Sequence, residues 1–331
     1  MDQATQDILR RRMHNLSLTR SCYSLKELSR QLMGLHCWFH RNAAFSTLIR
    51  GAALTGWKSA LTKTWLYRGT LHGVTYDDLP NLLALHADAA PWKWFGLPDD
   101  EVERVAGEVV ALMEDGVYSR SQMRTIFADR YDAETVGRLF SSWGGIFVYL
   151  ARRGQVAFRS MTSRDFDLIS AEPTQSRAQA LPSLLRRFFA AYGPATLADA
   201  QWFFGLEKPD LAGVDLGEFQ AVEYNGVPHY YLEDGEDMAD IPRLTLLSGF
   251  DPYLVSYVDR QAVLPREHKS KVILKSGICL PTVAVDGQVA GVWNIKKNEP
   301  VVEFFTRQPK TVVNKTYDLV DALRWQTAGQ L

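Results

Sequence analysis

Cysteine is scarce in this chain of 331 residues. Cys22, Cys37 and Cys279 are its three cysteines, and no two stand in a CxxC spacing. An odd, sparse set excludes a disulfide scaffold and fits reduced thiols. Long apolar runs are lacking too. None approaches the ~20 residues that a membrane span needs, and the opening Met-Asp-Gln-Ala-Thr-Gln-Asp has no apolar stretch of the signal-peptide kind. The expectation is a soluble, cytoplasmic protein with no membrane partner. There is also no excess of one charge: 37 Lys and Arg stand against 38 Asp and Glu, a formal net charge of -1. That excludes a general polyanion-binding surface but leaves room for a local basic groove. No GxGxxG follows a strand, no Walker lysine appears and no GxSxG elbow is present. No cofactor is expected.

What is present is a core. Hydrophobic residues make up 46% of the chain, and the length allows one to three domains. One local plan repeats three times, helices followed by a short strand pair. Ser24-Leu-Lys-Glu27 is a capping box opening a helix toward Leu35. Ala43 to Leu54 is a second helical stretch, and Arg68 to Thr75 alternates like a strand. After a linker at 89–100, Glu101 to Glu114 has a helical period, ended by Asp115-Gly116. Helices are expected from Ser119 and from Asp132, then a wing strand at Gly154 to Ser160. In the third repeat Leu184, Leu185, Phe188 and Phe189 form one helical face. Thr196 caps the next helix, with Asp199 ordering its N-terminus against the dipole. Phe219 to Leu232 is a hairpin around Asn225-Gly226. Helices plus a two-stranded ribbon is the winged-helix plan, a helix-turn-helix variant whose second helix enters a DNA groove.

The last part of the chain carries charges in an apolar setting. In Leu246 to Arg260, the charged residues Asp251, Asp259 and Arg260 interrupt an apolar run. Unpaired buried charges cost several kcal/mol, so Asp251 and Arg260 are expected to pair. Asp286-Gly287 marks a tight hairpin, followed by Gly291 and Trp293 returning to the core. Beyond position 260 the cations Arg260, Arg266, Lys269, Lys271, Lys275, Lys296, Lys297, Arg307 and Lys310 outnumber nearby acids. Arg152, Arg153, Arg159 and Arg164 gather about the second wing. Both groups suit a phosphate-tracking groove, or else solvated faces. The Arg10-Arg11-Arg12 run is expected to be a solvated helix face.

Four segments carry a family resemblance in order: Thr64-Trp-Leu-Tyr-Arg-Gly-Thr-Leu-His72, Tyr192-Gly-Pro-Ala-Thr-Leu-Ala-Asp-Ala-Gln-Trp202, Leu246 to Asp251 with Asp259-Arg260, and Val285-Asp-Gly-Gln-Val-Ala-Gly-Val-Trp293. Together they resemble the bacterial winged-helix DNA-binding family of the AlkZ and YcaQ type, over roughly Ser24 to Phe305. The resemblance implies an α+β fold of three tandem winged-helix units (1–90, 98–172 and 177–240) and a C-terminal β-rich domain (241–331). It implies double-stranded DNA as partner, a monomer, and a DNA glycosylase that releases alkylated purines and unhooks interstrand crosslinks.

The family's catalytic motif is Gln-x-Gln or Gln-x-Asp after a Leu-Gly-Leu. Here the matching stretch is Met33-Gly-Leu-His-Cys-Trp-Phe-His40, which puts His36 and Trp38 at the two motif positions. Cleaving an N-glycosidic bond passes through an oxocarbenium-like sugar. The enzyme needs an acceptor to hold a water and a dipole or charge to steady the cation. A neutral His36 can accept; the Trp38 indole only donates. His36 is thus a water holder or a helix-end histidine satisfied by backbone. Trp38 is a base-stacking residue or a core tryptophan. His36 and His40 at i, i+4 around Cys37 would share a helix face, but without a further ligand cluster no metal is expected. Arg68 and His72 flank a Gly-Thr that permits close backbone approach, to a phosphate or, for Arg68, to a carboxylate. Three functions stay open: a glycosylase with a divergent site, a relative that binds DNA or a lesion without cutting, and a DNA-binding regulator.

Overall fold

A computed structural model describes residues 2–20, 24–86, 93–117 and 119–328. Helix α1 (Gln3–Asn15) opens at Asp2, whose carboxylate accepts from the Thr5 amide at 2.8 Å. Helix α2 (Leu25–Gln31) opens at Ser24, which accepts from the Glu27 amide. It stops short of Leu35, because Met33 and Gly34 take positive φ values of 50° and 114°. The chain leaves that turn as a two-residue strand, β1 (Leu35–His36), and enters α3 (His40–Ile49).

Next come β2 (Thr62–Trp65) and β3 (Leu71–Val74), then α4 (Leu79–Leu83), α5 (Asp99–Glu114), α6 (Arg120–Phe127), α7 (Ala133–Leu139) and α8 (Ile146–Arg152). The hairpin β4 (Val156–Phe158) and β5 (Phe166–Leu168) follows. Helices α9 (Arg177–Tyr192) and α10 (Leu197–Phe204) precede the ribbon β6 (Gln220–Tyr224) and β7 (Val227–Tyr231). The last part holds β8 (Leu244–Leu247), α11 (Pro252–Val255), α12 (Lys269–Val272), β9 (Thr282–Val285), β10 (Gln288–Lys296), β11 (Glu299–Phe304) and α13 (Lys310–Thr327). Among the described residues no helix is long and apolar enough to cross a membrane.

These elements group into two compact units, 1–57 with 183–331, and 58–182. In the second unit β3, β2, β4 and β5 form one antiparallel sheet, with Lys63 opposite Phe158 joining the two hairpins. Trp65, Phe147, Phe158 and Phe166 pack together beside it; the Phe147 and Phe166 rings stack at 3.9 Å.

In the first unit the helix–helix–ribbon plan of the third repeat is present. Thr196 and Asp199 form the expected capping box, and Gly205 ends α10 in the left-handed region. Asn225 and Gly226 turn the ribbon with φ of 52° and 72°, the conformation a two-residue hairpin needs. The sheet β11-β10-β9-β8 is antiparallel throughout. Asp286-Gly287 makes its first turn, as its sequence demanded, and Lys297-Asn298 the second. A bulge lies between Val289 and Gly291, and a Cβ on Gly291 would fall 2.5 Å from the Glu303 carbonyl. Helix α13, not read from the sequence, covers the sheet. Phe45 of α3, Leu246, Val283, Trp293, Ile295, Val320 and Leu323 form one buried cluster. The Trp293 indole donates to the Leu247 carbonyl at 3.0 Å.

Two sequence expectations are corrected in this unit. Asp251 does not pair with Arg260. Its carboxylate takes a bidentate bond from Arg50, with Nη2 to Oδ1 at 2.9 Å and Nη1 to Oδ2 at 3.1 Å, and both side chains are fully buried. Arg260 instead donates from Nε to the Leu254 carbonyl at 2.8 Å. Nor is Arg10-Arg11-Arg12 a solvated face. Arg12 falls one turn after Ile8 and beside Met13 on the core face, 2% exposed. Its guanidinium lies 3.6 Å from the Tyr257 ring centroid and donates to the Pro194 carbonyl. Arg10 and Arg11 pair with Asp240 and Glu233.

Removing one member of a buried pair leaves the other charge uncompensated. Asp251→Ala is therefore expected to lower stability by about 3–5 kcal/mol in urea unfolding. The double change Arg50→Met with Asp251→Leu should recover part of that. Equal losses in both proteins would show that the stranded guanidinium is not the cause.

Candidate functional site

His36 ends β1, half-buried, with Nδ1 inside the protein. Its imidazole lies flat on the Phe250 ring, centroids 4.6 Å apart and planes 15° from parallel. Phe39 tilts toward the same Phe250 ring at 6.2 Å and is 43% exposed. Trp38 is half-buried between them in sequence, so it is not a core tryptophan. His36 and His40 do not share a helix face: the first is extended and the second opens α3. The Met33-Gly34 turn broke the helix that their spacing suggested.

Phe250 reaches His36 from a strained backbone. Its φ is 56°, a left-handed value that costs a non-glycine residue about 1–3 kcal/mol. The surroundings hold it there. Gly249 packs so closely on Asn42 that a Cβ would come within 2.4 Å of the side-chain nitrogen. The Phe250 amide donates to the Cys279 carbonyl. Asp251, the next residue, is clamped by Arg50 and also accepts from the amides of Ser248 and Tyr253. Burial pushes the Cys279 thiol up to about 12, so that sulfur is a packing group and not a nucleophile.

The expected DNA contacts fall in both units. In unit 58–182, Arg68 is half-buried with φ 53° at the β2–β3 connection. A Cβ on the following Gly69 would lie 3.9 Å from the Arg152 guanidinium, so that turn sits beside Arg152. His72 is only 4% exposed, edge-on to Tyr67 and within 3.2 Å of the Thr70 carbonyl. Arg153 pairs with Glu103, and the exposed Arg159 pairs with Asp167 across β4–β5. In the other unit Arg260 is half-buried and lines a cleft of about 510 Å³ with Arg266 and Lys269. Lys296 and Lys297 stand exposed at the tip of β10–β11.

Sequence reasoning missed Phe250 as a neighbour of His36, and Arg50 behind it. The signal for Arg50 was indirect: an aspartate in an apolar run that required a cation. Asp199 does more than order α10, since its Oδ1 accepts from the Val258 amide at 2.7 Å. Among the described residues, His14, Asp234 and Glu236 come within metal-ligating reach of one another. Arg20 sits on both carboxylates, which makes the group an ion-pair cluster.

Winged-helix units followed by an antiparallel β domain define the class of the protein. The family described as DNA glycosylase AlkZ-like matches residues 52–316. The chain is 30% identical over 285 residues to the interstrand DNA cross-link repair glycosylase of Streptomyces sahachiroi, covering 77% of each. It is also similar to the solved Streptomyces sahachiroi DNA glycosylase AlkZ, with a TM-score of 0.80, 27% identity, and coverage of 99% of this chain and 98% of that one. The chain belongs to the AlkZ-like DNA glycosylase family. The family match begins after His36 and Trp38, whereas the structural match covers 99% of the chain.

His86, beside Arg152, supplies a pH test of unit 58–182. Burial first, then the charges of Arg152 and Arg177, holds its imidazole down to about 3. The folded value lies below the unfolded one, so the unfolded chain binds more protons. Stability is full above pH 6.5 and falls as pH drops toward 3. Between pH 6.5 and 5 the loss should be about 2 kcal/mol. Urea midpoints measured across that range should fall, and His86→Leu should flatten the decline.

Proposed function

We propose that this protein is a monofunctional DNA glycosylase acting on alkylated or crosslinked bases in double-stranded DNA. His36 is the acceptor that holds the attacking water, and the aromatic faces of Trp38 and Phe39 receive the base. The winged-helix units at 1–90, 98–172 and 177–240 and the β-rich domain at 241–331 supply the duplex contacts. The observation that carries the reading is the flat stack of His36 on Phe250. It fixes an imidazole at the first motif position of a family of glycosylases.

Chemistry limits what the site needs. An alkylated purine already carries positive charge, so it leaves without a strong general acid. What remains is to place a water and to steady an oxocarbenium-like sugar, which calls for an acceptor near the anomeric carbon. A neutral imidazole offers one acceptor nitrogen. Trp38 offers none, and this favours a second reading: a relative that binds duplex DNA or a lesion without cutting it.

A base-release assay on duplex carrying N7-methylguanine separates the two. Release is expected from the wild type, with His36→Ala slowing it about 10²–10⁴-fold, and Trp38→Gln, which restores an acceptor, raising it. No release by a wild type that binds the same duplex in a salt-sensitive way would establish the second reading.

A further inference from the structure

Several outward-facing arginines in this protein are ion-paired. Arg104 meets Glu101 and Glu108, Arg153 meets Glu103, Arg159 meets Asp167, Arg186 meets Glu218 and Arg243 meets Asp286. The stretch 258–275 differs from these in gathering several cations that have no such partner among the described residues. From Val258 to Lys275 the chain has five cations, Arg260, Arg266, Lys269, Lys271 and Lys275, against two acids, Asp259 and Glu267. The last four cations are exposed, and none is ion-paired among the described residues. A local excess of three positive charges on a chain of net charge -1 asks for an anionic partner.

The strip is built rather than loose. Buried Leu264 and Val272 anchor its ends of the turn, and the His268 amide donates to the Pro265 carbonyl at 3.0 Å. Arg266 and Lys269 stand three residues apart across a helical turn, a spacing that sets side chains side by side. They share the cleft of about 510 Å³ with Arg260, which its bond to the Leu254 carbonyl holds in place. Asp259 also lines the cleft, but its carboxylate accepts from the Gln261 amide and side chain. Three cations outweigh it. Beside the cleft Val258 is 56% exposed and Trp202 of α10 45% exposed. The Trp202 indole donates to the Val255 carbonyl, which seats the ring next to the strip. Cations with an adjoining aromatic face suit a nucleic-acid strand.

We propose that the 258–275 strip grips the phosphodiester backbone of one DNA strand, with Arg260, Arg266 and Lys269 around a single phosphate and Trp202 against the neighbouring sugar or base. This rests on duplex DNA being the ligand, as argued above. The strip continues the segment that carries Phe250, through α11. A phosphate held in the cleft therefore sets the register of the strand relative to His36. The expected consequence is a positioning contact that is separate from the bond-breaking groups.

The test is fluorescence anisotropy of a labelled duplex with the full chain, over a series of NaCl concentrations. Arg266→Ala with Lys269→Ala should weaken binding about tenfold and reduce the slope of log affinity against log salt by about 1, the signature of one lost phosphate. Arg266→Lys with Lys269→Arg should bind like the wild type, as should Arg104→Ala, which removes a charge that is already paired. Wild-type affinity and slope in the double alanine variant would overturn the proposal. So would anionic-vesicle capture that this variant loses while its duplex affinity stays unchanged, since that would assign the strip to a lipid surface. A wild type that binds duplex but releases no base sinks the proposed reaction alone, and the slopes still judge the strip.

Discussion

The Arg50–Asp251 pair organises the unit that carries His36. Taking both charges out of water is expensive, and further hydrogen bonds to each member offset part of that cost. Arg50 also donates to the Leu16 carbonyl and to Ser46, and Asp251 also accepts from Ser248 and Tyr253. One interaction thus gathers the end of α1, the end of α3 and the turn before α11. Phe250 is the residue next to Asp251, and its ring is what His36 lies on. The pair's contribution is better described as register than as net stability. An apolar replacement could hold the segments together, but it would not dictate which residue faces the imidazole.

Local features of this fold were legible in the sequence where the chemistry is local. Asn225-Gly226 and Asp286-Gly287 need positive φ, and Thr196 with Asp199 satisfies a helix end within three residues, so each could be read from its own neighbourhood. Arg12 was misjudged because three adjacent arginines look like a solvated run, whereas the helical period puts one of them with Ile8 and Met13. Asp251 announced its need for a cation, but the nearest candidate in sequence, Arg260, was the wrong one. Its true partner lies 201 positions away, and no spacing rule reaches that far. Helix α13 escaped notice because two of its five buried residues are Thr316 and Thr327, which blur the apolar stripe. At the site itself, the motif positions His36 and Trp38 were found through family resemblance. The Phe250 ring was not, since nothing in a sequence joins residue 36 to residue 250.

Charge behaves in the same way. Counting cations along the chain treats Arg153 and Arg159 as equal to Arg266 and Lys269. The fold separates them. The first two have carboxylate partners on neighbouring elements, so much of their field is cancelled before any ligand arrives. The second two stand on a turn whose own acids are fewer. Surface ion pairs contribute little to stability, yet they decide which cations remain to attract a polyanion.

Phe250 occupies a backbone conformation that glycine would adopt without strain. A variant library sorted on thermal tolerance alone should therefore drift toward glycine at this position, and its survivors would fold well while leaving the imidazole without a platform. On the proposed reaction, residue 250 is a place where selection for folding and selection for chemistry pull in opposite directions.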